Sequence, residues 1–418
     1  MRVWACAVVL FVLVGSLGFQ ATRAQQQSEI SQLFARFGIK EKIVKQPAGI
    51  LKHEYLVPAG PYTQLFDWDT YFMGVALSYD RVGMPLEDSV KDFLDTTDEN
   101  YATRGYTPRE IAAGGFDALP QMCKPFLAQM ALRASETLHD YDWLREPSGK
   151  SGRTYYQKLA DTLAFWELAR RSPDGLFRWF NGVESGVDNG PAVSNDPADV
   201  TEGVDLQCYM YREYLAMGAI AARLNEPADA KMDRKKAREL AELVRAKMWS
   251  NGAGMFLNID SRTGQFVRIK TWTNFVPLWA GIATKAQAKA TIEGHLLNRR
   301  EFWSANGIRT LAATEPLYNP RSGYWRGPVW VLSNYLVMHG LENYGYKTQA
   351  IELAGETVRL LVDNLHRTGG MNENYNPETG APDAAGNFVS WDLLGEHMME
   401  EAQTASDPMS IPSSGKQN

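Results

Sequence analysis

KTQAIELAGETVRLLVDNLHR, residues 347–367, places apolar Ile351, Ala354, Val358, Leu361 and Leu365 at successive steps of 3, 4, 3 and 4. At 3.6 residues per turn these side chains form one continuous stripe, the mark of a helix that buries a single face. Ala237, Leu240, Val244 and Met248 repeat the spacing, as do Tyr155, Leu159, Leu163 and Trp166. Further helical patterns cover about 69–83, 87–98, 119–138, 203–223, 284–297, 328–344 and 390–403. With a short one near 274–282, the pattern predicts about eleven helices.

The helices come largely in pairs. Glu226-Pro227 separates the two near 203–249, and Tyr344-Gly345-Tyr346 separates the two near 328–367. Alternate connections are long and rich in Gly, Pro, Asn and aromatic residues, and loops of that length are usually functional. One β-hairpin is expected, MFLNID (255–260) against QFVRIK (265–270) across Ser-Arg-Thr-Gly. No repeat shows in the sequence itself, which disfavours a solenoid of near-identical units. About six helix pairs with long loops on one side predict an all-α fold, an (α/α)6 toroid, with an open helical array as the alternative.

The composition narrows the partners. The chain has 418 residues, 44% hydrophobic and 22% charged, with a net charge of −6 and no long basic block. That suffices for a large core and argues against nucleic acid or an anionic membrane as partner. Residues 1–24 read as a signal peptide. Arg2 precedes the apolar run Val3 to Val14, too short for a comfortable span, and Thr22-Arg23-Ala24 offers a small-residue cleavage site. Export, to periplasm or medium, is therefore expected, an uncleaved anchor being the alternative. Residues 25–405 are expected to form the (α/α)6 domain and 406–418 a disordered tail. Cys123 and Cys208 read as two buried thiols, although export would permit a disulfide.

Chemistry is sought among motifs. There is no HExxH, P-loop, GxSxG or GxGxxG, and the six His do not cluster at metal-ligand spacing, so no metal and no cofactor is expected. Four segments remain. ESGVDNGP (184–191) sets Asp188 between a flexible lead-in and a turn, after the aromatic run LFRWF (176–180). QLFDWDTYF (64–72) puts Trp68 and Asp69 at the start of a helix, where Asp69 also reads as an N-cap. GYWRGPVW (323–330) leaves Tyr324, Trp325 and Arg326 on a loop, with Pro328 suited to a first helical turn. MNENYNPETG (371–380) carries Glu373 in a loop between amides that would orient it or a water.

Together these segments resemble the motifs of trehalase-type (α/α)6 glycosidases, and most closely those of glycoside hydrolase family 63. That branch includes processing α-glucosidases and the mannosylglycerate and glucosylglycerate hydrolases. The resemblance spans roughly residues 55–400, and YWRG-P-x-W together with ESG-x-DN carries it. It implies Asp188 as general acid and Glu373 as general base. It implies Trp68, Asp69, Gln121, Tyr324, Trp325, Arg326 and Gly327 as the walls of the sugar site, with Asn189 and Arg212 as further contacts. Gly190 departs from the family's D-N-S-P pattern. The chain is also short beside the processing glucosidases, without their N-terminal β-domain, which points to a small soluble substrate.

The resemblance implies inverting hydrolysis of a small α-glycoside: a glycerate glycoside, trehalose or a short α-glucoside. For a glycerate conjugate, Arg212, Arg104 or Arg109 would meet the carboxylate. Two other readings stay open. Similar toroids house sugar epimerases and lyases, though epimerases rely on paired His that this chain lacks. A non-catalytic secreted carbohydrate-binding protein would keep the aromatics and need neither carboxylate.

Overall fold

The computed structural model describes residues 28–411, apart from 82, 118, 119, 150 and 151. The chain is helical over 28–37 (α1), Asp67–Leu77 (α2), Met84–Asp95 (α3), Leu127–Leu138 (α4) and Tyr155–Arg170 (α5). A single turn, Gly182–Ser185 (α6), precedes Val204–Arg223 (α7), Pro227–Leu243 (α8), Val276–Trp279 (α9) and Lys285–Thr291 (α10). Val331–Asn343 (α11), Lys347–Thr368 (α12), a 3-10 segment Ser390–Glu396 and Met398–Thr404 (α13) complete the order.

Burial sorts these helices into two rings. Every residue of α2 is buried, and so is α11 from Val331 to Leu341. Such helices are enclosed on all sides and form an inner wall. In α8 only Ala230, Asp233, Ala237, Leu240 and Ala241 are buried, the one-sided pattern of an outer helix. The inner ring runs α2, α4, α7, α9, α11 and Ser390–Glu396, each touching the next, and the last returns to α2. Outside it, α3 lies against α2 and α4, α8 against α7, and α12 against α11. The fold is an (α/α)6 toroid. Each fully buried Leu or Val of the α12 stripe contributes roughly 1.5–3 kcal/mol by leaving water.

Several boundaries differ from the expectation, each for a local reason. The helix expected over 119–138 starts only at Leu127, because Pro125 lies in a turn ahead of it. Pro328 is not in a helical turn: Val329 exchanges two backbone hydrogen bonds with Tyr375, at 2.8 and 2.9 Å, and α11 begins at Val331. The expected hairpin is present but short, with Ile259–Asp260 paired to Gln265–Phe266; Met255–Phe256 pairs instead with Trp249–Ser250. Helix α1 had no expectation at all.

The tail expected to be disordered from 406 is placed as far as residue 411. Met409 is buried, and the Pro408 and Met409 carbonyls accept hydrogen bonds from Arg133 and Arg212. Residues 412–418, and the segment 1–24 read as a signal peptide, lie outside the described residues. Cys123 and Cys208 are buried free thiols. No helix among the described residues is long and apolar enough to cross a membrane.

Candidate active site

The loop carrying Asp188 is anchored by the acid four residues before it. Glu184, fully buried in α6, accepts from the backbone N–H of Met122 (3.1 Å) and of Phe180 (2.6 Å). It also takes both arms of the Arg170 guanidinium, at 2.8 and 3.2 Å. Gly186 then turns the chain at φ +81°, where a Cβ would lie 2.4 Å from Trp68 Cζ2. Only glycine fits both the backbone and the space. Gly190 N–H closes a turn onto Val187 O at 2.8 Å, and a Cβ at 190 would come within 2.5 Å of Val187 Cγ1. The departure at Gly190 therefore accommodates the β-branched Val187 beneath the turn that presents Asp188.

Glu373 lies on the strand Asn372–Tyr375, paired with Pro382–Gly386, rather than in a loop. The register shifts at this point, so that Ala384 and Ala385 oppose the single residue Glu373. The bulge turns the Ala385 N–H towards the Glu373 carboxylate, where it favours the charged form. Tyr324 and Tyr62 donate their hydroxyls to Glu373 Oε1, at 2.8 and 3.1 Å. These phenols hold the carboxylate, in place of the neighbouring amides that the sequence suggested.

The motif loops are stapled to one another. Asn189 accepts from Trp325 N–H at 3.0 Å and donates to Gly323 O at 2.9 Å, tying the Asp188 loop to the YWRG loop. The Val329–Tyr375 pairing ties that loop to the Glu373 strand. Ser390 Oγ donates to Asp69 Oδ1 at 2.6 Å, which joins the last inner segment to α2. Asp69 is thus not an N-cap; Phe66 occupies that position and makes no side-chain capping bond.

Asp188, Glu373, Asp69, Trp68, Tyr324 and Trp325 come together around one cavity of about 230 Å³. Trp330, Trp391, Phe388 and Tyr62 complete its aromatic wall, with Lys124, Arg109 and Glu110 among the polar residues. Trp325 stacks on Trp330 with ring centroids 3.6 Å apart, and Trp68 meets both Trp325 and Trp391. Lys124 is buried, pairs with Asp67 at 3.1 Å, and lies 4.8 Å from the Trp68 ring centroid. The volume suits one sugar ring, below the range of about 300–1,000 Å³ for larger ligands.

The two carboxyl groups have opposite settings. Burial pushes Asp188 up to about 6; Lys124 and Arg109 pull it down, while Glu373 and Glu110 push it further up. None of the described residues donates a hydrogen bond to its carboxylate. Burial also raises Glu373, but the Tyr324, Tyr62 and Ala385 donors favour its charged form. Asp188 is thus the group suited to carry a proton and Glu373 the one suited to lose it. Burial raises Asp69 to about 7, against its bond from Ser390.

Five residues implied as ligand contacts do not line this cavity. Gln121 contributes its carbonyl to the Tyr106 hydroxyl. Asn189 is the staple described above. Arg212, two turns into α7, stacks on Trp279 at 4.1 Å and bonds Gln129 and Met409. Arg326 holds the loop through its backbone, N–H to Gly323 O and carbonyl from Asn319 N–H. Gly327 adopts φ +142° and donates to Thr310 Oγ1. The LFRWF run also turns inward: Trp179 is fully buried against Trp166 and bonds Asp205. Tyr62, Lys124, Phe388 and Trp391 were missed; of these, WD at 391–392 echoes the WD at 68–69 and was the available signal.

A toroid with two carboxyl groups in an aromatic-walled cavity has the build of a six-hairpin glycosidase. The chain belongs to the family of the mannosylglycerate hydrolase MGH1-like glycoside hydrolase domain, whose model matches residues 3–391. It is 30% identical over 146 residues to a mannosylglycerate hydrolase of Rubrobacter radiotolerans, a stretch that is 35% of this chain and 32% of that protein. The match thus spans about a third of that relative's length. The fold is similar to that of the GH63 mannosylglycerate hydrolase from Thermus thermophilus in complex with glucose. That likeness has a TM-score of 0.65 at 20% identity and covers 88% of this chain and 98% of that one. Neutral trehalase Nth1 from Saccharomyces cerevisiae gives 0.63 at 18%, covering 86% and 76%.

Proposed function

We propose that this chain hydrolyses a small soluble α-glycoside with inversion at the anomeric carbon. The observation that carries the proposal is the contrast between Asp188, whose carboxylate receives no hydrogen bond from the described residues, and Glu373, held by two phenols in the same cavity. Asp188 gives its proton to the bridging oxygen as the bond to the anomeric carbon breaks. Water attacks that carbon from the opposite face, and Glu373 takes the water's proton. With Oε1 taken by the Tyr62 and Tyr324 hydroxyls, Glu373 Oε2 receives no side-chain hydrogen bond from the described residues and is the oxygen offered to the water. The aromatic wall excludes bulk solvent and packs against the sugar's C–H faces.

The family and the names of its relatives support a glycerate glycoside as substrate. Of the three arginines considered for its carboxylate, Arg109 alone lines the cavity, where it pairs with Glu110 at 2.9 Å. Trehalose and short α-glucosides are the competing substrates. A panel of mannosylglycerate, glucosylglycerate, trehalose and kojibiose, with glucose and mannose detection, tests this. Turnover of none of them overturns the small-glycoside reading. Proton NMR of the first-formed sugar is expected to show the β anomer; an α anomer would exclude inversion. Replacing Arg109 by Met is expected to raise KM for a glycerate glycoside and to leave KM for a neutral glucoside unchanged. Export belongs to the same proposal, and the mature chain is expected to start at Gln25 on N-terminal sequencing.

A further inference from the structure

On the outer wall, away from the catalytic cavity, α3 carries Asp88 on its second turn and Asp92 and Asp95 on its last, facing His53 between the strands Val44–Lys45 and Tyr55–Leu56. One ligand atom from each of His53, Asp92 and Asp95 lies within 4.8 Å of the others. Acidic residues at a helix C-terminus oppose the helix dipole, so their grouping here costs stability unless a cation offsets it. The cationic groups facing them are His53 itself, Lys158, which acts on Asp95 and pairs with Glu99 at 2.8 Å, and Lys91, which acts on Asp88 and pairs with Glu87 at 2.7 Å.

Asp92 supplies an independent sign of a missing partner. The residue is 1% exposed, and Oδ1 accepts the backbone N–H groups of Lys52 and His53, at 2.7 and 3.3 Å. Its other oxygen, Oδ2, is buried with no hydrogen-bond partner among the described residues. A buried carboxylate oxygen left unpaired is costly, and a bound cation would satisfy it.

We propose that His53, Asp92 and Asp95 form a structural site for a divalent zinc-class cation. His53 Nε2 and Asp95 Oδ2 are 3.4 Å apart. Zinc bonds of about 2.0–2.2 Å in a tetrahedral arrangement put neighbouring ligand atoms about 3.4 Å apart. Closing the widest separation in the cluster to that edge takes about 1.4 Å at most, shared between two side chains. Asp88 Oδ1 lies 3.9 Å from His53 Nδ1, close enough to act on the imidazole by charge but too far to hydrogen-bond it. His53, Asp88 and Asp95 are partly exposed, and Asp95 opens onto a surface cleft of about 560 Å³, so an ion and its completing water have a path in. The imidazole favours zinc over calcium or magnesium, which take oxygen ligands.

The site would pin the 43–57 segment to α3. That segment runs on to Pro58 and Tyr62 of the cavity, so the ion would stiffen the strap that brings Tyr62 to Glu373.

The full chain, stripped with chelator and dialysed, is titrated with Zn²⁺, Ca²⁺ and Mg²⁺ by calorimetry and by thermal melting. One equivalent of Zn²⁺ is expected to bind and raise Tm, with Ca²⁺ and Mg²⁺ weaker. His53→Gln and Asp95→Asn, both at partly exposed positions, are expected to weaken Zn²⁺ binding at least tenfold. Asp92→Asn keeps an acceptor for the two backbone N–H groups and is expected to do the same, with circular dichroism reporting its fold. Absence of a Zn²⁺ equivalent, binding unchanged in all three variants, or tighter binding of Ca²⁺ would each overturn the proposal. Because the readout is metal binding, the result is independent of whether any glycoside is turned over.

Discussion

Replacing Tyr324 by Phe removes one hydroxyl from Glu373 Oε1 and leaves the wall intact. The ring's edge contact with Trp330 is kept, and so is the backbone bond from Trp330 Nε1 to Tyr324 O. A hydrogen bond to a charged group is worth about 1.5–3 kcal/mol. Tyr62 remains on the same oxygen at 3.1 Å, so the lower end applies. At 1.36 kcal/mol per tenfold change in protonation, the loss moves the titration of Glu373 upward by about one pH unit. The base must be ionised, so activity is lost as pH falls through its pKa. The acidic limb of kcat/KM should therefore rise by about one pH unit. Asp188 must be protonated, and its limb, near pH 6, should stay. The bell narrows from its acidic side and its maximum falls. Tyr62→Phe should act in the same direction, and the double variant should narrow the profile further. Initial rates of sugar release across the acidic and neutral range read this directly. An acidic limb that does not move, or an alkaline limb that moves instead, would refute Glu373 as the base held by these phenols.

Asp188→Asn and Glu373→Gln should each lower kcat by at least about a hundredfold without unfolding the chain. Asp188→Asn should also melt no lower than the parent at pH 7. Burial raises the Asp188 pKa from 3.8 to about 6, so its charge destabilises the fold increasingly as pH rises through that window and fully above it. The gain in Tm should accordingly shrink towards the acid end of the window. Arg109→Met, which removes a charge that holds Asp188 down, should shift the alkaline limb upward in a pH–rate profile. Gly186→Ala should cost on the order of 1–3 kcal/mol or more, through the clash with Trp68 and the φ of +81°, and should show as lower Tm together with lower kcat.

The outer helices were legible because they are amphipathic. The α12 and α8 stripes face the inner ring and leave polar residues to water, so the period shows in the sequence. The inner helices are buried all round, and α2 and α11 give no period from which to read an end. The expected 69–83 helix therefore overran the actual end at Leu77. Helix α1 was readable: Ile30, Leu33, Phe34 and Phe37 are spaced as one helical face, and the first three are buried. In the site, residue type alone misled. Arg212 had the chemistry for a carboxylate but sits down the length of α7, beneath Trp279. Lys124 had no motif, yet its pairing with Asp67 places it against the Trp68 ring in the cavity.

The YWRG loop shows why a motif can mark a site without each member touching the ligand. Tyr324 is held at φ +59°, a left-handed conformation that costs a non-glycine residue on the order of 1–3 kcal/mol. That conformation accompanies the placement of its ring in the cavity and its hydroxyl on Glu373. The surrounding bonds offset the cost: Asn189 grips both Gly323 and Trp325, Arg326 N–H returns to Gly323 O, and Trp330 Nε1 holds Tyr324 O. Gly327 lies where a Cβ would meet the Tyr318 ring at 2.8 Å, so the chain can turn there towards Val329 and the Glu373 strand. Asn189, Arg326 and Gly327 therefore act on the cavity through Tyr324 and Trp325. The same staple also fixes Asp188 relative to Glu373, since Asn189 is the chain neighbour of Asp188 and Val329 pairs with Tyr375, two residues from Glu373. Loosening the YWRG loop should thus disturb Asp188 and Glu373 together, although neither belongs to it.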